Sequence, residues 1–479
     1  MSTRWIPCSL LAALPLCGCT VGPDYQRPRV ETPAHWVSPM ADAPAAATQP
    51  SVAVDQPPPE FDITRWWATF NDPVLESLVS RALGSNLDLR VARLRVTEAR
   101  AARRAAAAAL YPRVDTSGSY RRSGGGPGRN NPERSNYSLG GDASWEIDVF
   151  GGVRRGVEAS DADVRATVED RRDVQVLVAS EVALSYLDLR SFQRQLEISR
   201  QNLVLQRRSY DLTRQRFQAG FETGLDAANA ESTVANTEAT IPLQEASVRQ
   251  AAYALALLLG REPGALLEEL SVVAPIPVTP AEVPVGLPSD LLRRRPDIRR
   301  AEAQVRAATA RIGVAVADLY PRFSLTGSLG VSGDDAAALG NRHNAGWSFG
   351  PSVSWPLFDA GRIRANIAIR TAAQEQAVLN YRATILAALT EVENTLTEFV
   401  AEQQRRRALV RVVAAERRSF ELSTELYRQG ETDFLNVLVA QRSLYGSEDA
   451  LVQSDRNVAS NLVRLYLALG GGWDEASGE

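Results

Sequence analysis

The chain has 479 residues, a length that suits about three domains of roughly 150 residues or one long architecture. Apolar residues make up 44% and charged residues 23%, and the net charge is −4, so the chain can build a core and has no global pull toward nucleic acid. All 53 basic residues are Arg, with only two His (His35, His343) and three Cys, which excludes lysine-dependent phosphate loops, Schiff bases and Ser-x-x-Lys nucleophiles and leaves little for a zinc site. No enzyme, cofactor or metal centre is expected.

Residues 1–18 carry one positive charge, Arg4, and a short apolar run, Leu10 to Leu16, which is the anatomy of a signal peptide and too short for a permanent span. The run ends Leu16-Cys17-Gly18-Cys19, similar to a bacterial lipobox, so Cys19 is the expected lipidation site. Cleavage before Cys19 leaves a single cysteine and no intrachain disulfide. Thr20, where an Asp tends to retain lipoproteins at the inner membrane, points to the outer membrane. Residues 19–60, rich in Pro and Ala, read as a lipidated extended segment.

Beyond this segment the chain repeats itself. Gly151 with Arg154 recurs as Gly361 with Arg364, Phe217-x-x-Gly220 as Tyr427-x-x-Gly430, and Leu259-Gly260 as Leu469-Gly470, always 210 residues on. Leu110-Tyr111-Pro112-Arg113 recurs as Leu319-Tyr320-Pro321-Arg322. A constant register over so long a stretch predicts a duplicated, domain-sized unit. The first repeat is placed at 61–285 (strands about 113–123 and 137–149, long helix about 152–218). The second is placed at 286–472 (strands about 322–332 and 345–357, long helix about 362–429), with a tail at 473–479.

Each unit opens with an Ala- and Arg-rich helix, about 86–110 and 297–319, and continues in two strands. The strands alternate strictly: Leu139, Ala143, Trp145 and Ile147 against Ser138, Asp142, Ser144 and Glu146, and Trp347, Phe349 and Val353 against Ser348, Ser352 and Ser354. Alternation fits a soluble sheet with one wet face or a membrane barrel, and the secretion signal with Trp145 and Trp355 near strand ends favours the barrel. Four strands cannot close a membrane barrel, which starts at about eight, so this reading requires several copies.

The following stretches, from Gly152 to Gln218 and from Arg362 to Gln429, are free of Pro and long enough for helices of roughly 100 Å at 1.5 Å per residue. Val182, Leu189, Leu196, Leu203, Tyr210 and Phe217 are spaced by seven, and Leu177, Leu184, Ile198, Leu205 and Leu212 form a second stripe on another flank. Two stripes predict a neighbour on each side, as in the staves of a cylinder. Each long helix ends at a Gly-containing turn and is followed by a helix of about 38 residues, which with the 25-residue opening helix matches the long one. Residues 61–85, 261–296 and 470–479 are left to pack as a collar at the joint. Pro242 is expected to kink the helix that contains it.

Several strings together resemble the TolC-like outer-membrane factor family, in its NodT-type lipoprotein branch serving RND efflux systems. They are Val21-Gly22-Pro23-Asp24-Tyr25-Gln26-Arg27-Pro28, Trp145 to Gly151, Leu287 to Asp297, Leu357-Phe358-Asp359-Ala360-Gly361-Arg362, Ala440-Gln441-Arg442-Ser443-Leu444 and Leu469-Gly470-Gly471-Gly472-Trp473. The resemblance covers the mature chain. It implies a mainly α fold with a transmembrane β-barrel portion: a trimeric 12-stranded outer-membrane barrel, four strands per chain, continuing into a long periplasmic α-helical barrel. It further implies a homotrimer in outer-membrane lipid, a periplasmic adaptor, an inner-membrane RND-type pump, and a passive exit duct for small toxic compounds.

The resemblance also implies a periplasmic aperture near the turns between long and short helices, which here brings in Asp226, Asn436, Val439, Tyr427 and Arg428. Relatives often have an Asp before Ala-Gln-Arg-Ser-Leu, where this chain has Val439, so a partly hydrophobic constriction is expected. Two other functions remain open: a duct for type I protein secretion and a structural periplasmic coiled-coil lipoprotein. Gly346-Trp347-Ser348-Phe349-Gly350 matches a hydrolase elbow but lies in an alternating strand with no later His. Arginine runs such as Arg293-Arg294-Arg295 read as solvated faces, and no nucleic-acid groove is expected.

Overall fold

The computed structural model describes residues 20–31, 33–37, 62–124, 133–277, 279 and 288–474. The expected signal peptide at 1–18, the lipidation site Cys19, most of the 19–60 segment and residues 475–479 lie outside the described residues.

In chain order the elements are α1 (Pro73–Ser85), α2 (Leu87–Ala108), β1 (Arg113–Ser123), β2 (Arg134–Ile147), α3 (Gly152–Gln218) and α4 (Gly224–Leu258). They continue as α5 (Leu291–Arg294), α6 (Pro296–Ala317), β3 (Arg322–Gly333), β4 (Ala345–Ser354), α7 (Arg362–Gln429) and α8 (Phe434–Ala468), with short 3-10 turns between them. Chain contacts group into two compact units that each draw on both halves of the sequence. One takes Met1–Arg29, Val96–Thr167 and Arg300–Tyr381, and the other takes Val30–Arg95, Val168–Arg299 and Arg382–Glu479.

The first unit holds the sheet. Its four strands are antiparallel in the order β1-β2-β3-β4, so β2 of one repeat pairs with β3 of the other and β1 and β4 are left as edges. Equivalent Trp side chains brace the helix end of each hairpin: Trp145 Nε1 donates to the Leu110 carbonyl and Trp355 Nε1 to the Leu319 carbonyl, both at 3.0 Å. The strand-to-helix corners also repeat, because Gly151 and Gly361 both take positive φ (78° and 87°), a conformation that carries a steric penalty for other residues. Asp148 accepts the backbone N–H of Arg154 at the first corner, and Asp359 that of Ile363 at the second.

At the first corner the N-terminal strap passes so close that a Cβ on Gly151 would lie 2.7 Å from Thr20 Cγ2. The strap is fixed by Val21 N–H to the Phe150 carbonyl (3.1 Å) and by Arg155, which donates to Asp24 (2.6 Å). Further along, Tyr25 and Arg27 both donate to Glu302 on α6, at 3.1 and 2.8 Å.

The second unit contains a fully enclosed collar. Asp72 caps α1 by accepting from the N–H groups of Val74 and Leu75, and Pro73 fills the first helical position where no N–H is needed. Helical spacing then buries Leu75, Leu78, Val79 and Ala82 on one face. Trp66 is wholly buried, stacked on Tyr466 of α8 (ring centroids 5.5 Å) and edge-on to Trp67. The chain end closes this core: Gly472 N–H bonds the Ile63 carbonyl (3.0 Å), Trp473 Nε1 bonds the Arg294 carbonyl (3.0 Å), and the Trp473 ring lies 4.4 Å from the Arg172 guanidinium and 5.1 Å from that of Arg299.

The joint between short helices has the same construction in both repeats. Asn86, between α1 and α2, donates to the Leu258 carbonyl at the end of α4 (2.8 Å), and Arg295, just before α6, donates to the Ala468 carbonyl at the end of α8 (2.8 Å). The opening helices have 22 residues and the returning helices 35, a little shorter than expected from the sequence. Pro242 lies inside α4, which runs unbroken through it; the residue is exposed, and its missing N–H forgoes one backbone bond.

Along α3 burial does not follow the two apolar stripes. Val182, Leu189 and Leu203 of the first are buried within the chain but Phe217 is open, and in the second Ile198 is buried while Leu177 (42% exposed) and Leu205 are open. Apolar positions on both stripes are therefore left uncovered within one chain.

Candidate functional site at the helix tips and the sheet

Within the second unit the two helix turns are built alike. Each ends in a glycine with positive φ, Gly220 (78°) or Gly430 (82°), that closes a paired set of C-terminal bonds: Phe221 N–H to Arg216 C=O (2.9 Å) in one, Glu431 N–H to Leu426 C=O (2.9 Å) in the other. The next helices start differently. Thr223 Oγ1 accepts the Asp226 N–H at 3.2 Å and donates back to the Asp226 carboxylate, a closed local cap. Asp433 makes no side-chain cap bond, and Asn436 Nδ2 instead donates to Thr432 Oγ1 at 2.7 Å.

Of the five residues expected at the aperture, the structure separates one from the rest. Tyr427 is buried in a cluster with Ala230, Phe434, Val437 and Leu438, against which Tyr210, Leu212 and Phe420 pack. Its hydroxyl lies 3.2 Å from Thr213 Oγ1, its carbonyl accepts from Arg216 Nη1 (2.9 Å), and the Arg216 guanidinium lies 4.8 Å from its ring centroid while pairing with Glu222 at 3.2 Å. Burial raises the Tyr427 phenol above its ordinary value, which keeps it protonated and hydrogen-bonding at neutral pH. Asn436, Val439 and Arg428 are exposed and Asp226 is half-buried, Arg428 having only a loose 3.7 Å contact to Glu425. Sequence reading missed Thr213, Arg216 and Phe434; Thr213 and Arg216 act across more than 200 residues of chain, and no local pattern marks them.

The sheet of the first unit is the other functional surface, and its register separates its large apolar side chains from its hydroxyl-bearing face. One face carries Val114, Leu139, Trp145, Phe323, Leu329, Trp347, Phe349 and Val353, with Trp347 80% and Leu329 63% exposed. On the opposite face the strands place only Ser, Thr, Asn, Gly and charged residues, joined by hydroxyl rungs such as Ser119 to Ser138 (2.8 Å) and Ser328 to Ser348 (2.8 Å). Strands of 10–14 residues reach the roughly 9–11 needed to cross a bilayer. None of the described helices is long and apolar enough to cross a membrane, and no group of three or more potential metal ligands occurs among the described residues.

A sheet with one lipid-compatible face and one hydrophilic face, joined to long paired helices, is the subunit of a membrane channel. The chain belongs to the outer membrane efflux protein family, which matches residues 78–261 and 287–471. It is 34% identical to nodulation protein T of Rhizobium leguminosarum bv. trifolii over 96% of both chains, and 33% identical to the cation efflux system protein CusC of Escherichia coli O6:H1 over 98% of this chain and all of that one. Its fold superimposes on the outer-membrane channel OprN with a TM-score of 0.83 at 37% identity, covering 95% of this chain and all of that one.

The chain is thus an outer-membrane channel of a tripartite efflux system and not an enzyme, mainly α with a transmembrane β-barrel portion. It resides in the outer membrane and extends into the periplasm as a passive exit duct.

Proposed function

We propose that three copies of the chain close a 12-stranded barrel and, through the open flanks of α3 and α7, a periplasmic helical barrel, so that the polar face of each sheet lines one lumen. The gathering of every large apolar strand side chain on one face carries this reading, since a solvated sheet has no use for Trp347 and Leu329 in water. The duplicated repeats act as two staves per copy, and Cys19, acylated after removal of residues 1–18, tethers each strap to the membrane. The duct receives small toxic compounds from an inner-membrane RND-type pump through a periplasmic adaptor, and the pump sets the substrate. Relatives include a toluene efflux pump outer membrane protein of Pseudomonas putida, 33% identical over all of this chain, beside the cation efflux protein.

The test is whether outer-membrane fractions yield a heat-modifiable trimer that conducts in planar lipid, and whether deletion sensitises cells to drugs, solvents or metals. A lone water-soluble monomer overturns the reading. Loss of protein export with unchanged drug sensitivity identifies a secretion duct instead.

At the tips, Tyr427 anchors the closed arrangement from within, while Asp226, Asn436, Val439 and Arg428 line the aperture. Val439→Asp adds one acid per copy to a constriction that is otherwise partly apolar. The expected outcome is a rise in cation preference in single-channel recordings; equal reversal potentials for both proteins remove Val439 from the aperture.

A further inference from the structure

The hydrophilic face of the sheet is not electrically uniform. Register places Arg121 opposite Asn136 and Arg134 opposite Ser123, so both guanidinia belong to the serine-bearing face at the hairpin end of β1 and β2. Both are exposed, and neither has an ion-pair or side-chain hydrogen-bond partner among the described residues. Arg122, between them in pairing but on the apolar face, is neutralised by Glu133.

At the helix end of the same face the balance is reversed. Arg113 pairs with Asp115 at 2.8 Å and Arg322 pairs with Asp318 while also feeling Glu146, so that with Asp142 this end carries two acids in excess of its arginines. Between the poles the face is neutral, built from Ser117, Ser119, Ser138, Gly140 and their neighbours. Asp142 and Arg134 are eight residues apart on one strand, roughly 26 Å at 3.3 Å per residue. That is about three screening lengths at physiological salt, so the two poles do not cancel. Past the strand ends of the second hairpin, Asp334, Asp335 and Arg342 leave a single negative charge, with Asp335 engaged in capping the Ala338 N–H.

We propose that the outer mouth of the duct is a cation-repelling, anion-attracting arginine ring, two side chains per copy, set against an acidic inner end of the barrel. This rests on the reading of the hydrophilic face as the lumen, with the helix end toward the periplasm. The ring makes the exit one-sided. External cations and polycations meet a repulsive mouth, while anionic and zwitterionic cargo is drawn outward after leaving the pump.

Thiol accessibility in intact cells reads the two poles separately, because none of the described residues is a cysteine. Ser119→Cys lies two residues from Arg121, and Ser144→Cys lies between Asp142 and Glu146. Small methanethiosulfonates of equal size, one anionic and one cationic, are added from outside. At Ser119→Cys the anionic reagent is expected to react faster, on the order of threefold at 0.15 M salt, more at 0.01 M and equally at 1 M. The preference is expected to vanish when Arg121→Ser and Arg134→Ser are added, and to favour the cationic reagent at Ser144→Cys. Equal rates at Ser119→Cys, or a preference untouched by removing the arginines, overturn the proposal while leaving the lumen intact. No reaction of Ser119→Cys with either reagent, in a chain that reaches the outer membrane, removes the lumen reading and this proposal with it.

Discussion

The collar and the sheet solve opposite problems with the same chain. In the collar, Trp66, Leu75, Leu78 and Tyr466 are enclosed by their own polypeptide, and Tyr186 donates to Asp72 there at 2.6 Å. In the sheet, residues just as apolar have no cover from the same copy. The difference shows that one chain completes only part of its own core; the remainder depends on lipid and on identical neighbours.

That contrast can be broken most severely in the collar. Trp66→Ala removes a wholly buried indole and its stack on Tyr466, and should cost about 3–5 kcal/mol. The expected readout is a large drop in the denaturant midpoint of the purified protein; a shift within error would mean the collar is not an independent core. In the sheet, Leu329→Arg changes a side chain that is 63% exposed, so a soluble domain would tolerate it. A lipid-facing position should lose roughly 2–4 kcal/mol toward the bilayer midplane. Membrane insertion is therefore expected to fall sharply, while the polar-face change Ser328→Arg is tolerated; normal insertion of the Leu329 variant would contradict the assignment of faces.

A smaller effect sharpens the comparison from the collar side. Burial holds the Glu169 carboxyl above the ordinary range despite the guanidinia of Arg172 and Arg299 at 2.6 and 3.1 Å. A carboxyl whose folded value is raised binds its proton more tightly in the native state, so its contribution to stability grows as pH falls through that raised value and is lost as pH rises above it. Glu169→Gln should flatten this part of the stability-against-pH curve just above the usual carboxylate range. An unchanged curve would show that the two arginines, rather than burial, control the group.

How much of this was legible in the sequence depends on the range of the interaction. The two faces of the sheet follow from period-two alternation alone, and every strand obeyed it, because neighbouring side chains must point to opposite sides. Family membership and fold class were also readable, since strings such as Trp145 to Gly151 encode local corners whose geometry now shows why Gly151 and Asp148 are needed. The tips were not. Asp226 and Tyr427 looked equivalent as residues beside a turn, yet one closes a local cap with Thr223 and the other is buried by contacts with Thr213 and Arg216 from the other hairpin. Nothing within a window of a few residues distinguishes them.

The clamp on Trp473 has a consequence for how the collar fails. The ring wedges between Arg172 of α3 and Arg299 of α6 and bonds the Arg294 carbonyl, so one indole ties two distant stretches of the polypeptide together. Trimming that side chain would release both at once, and damage there would spread instead of staying local.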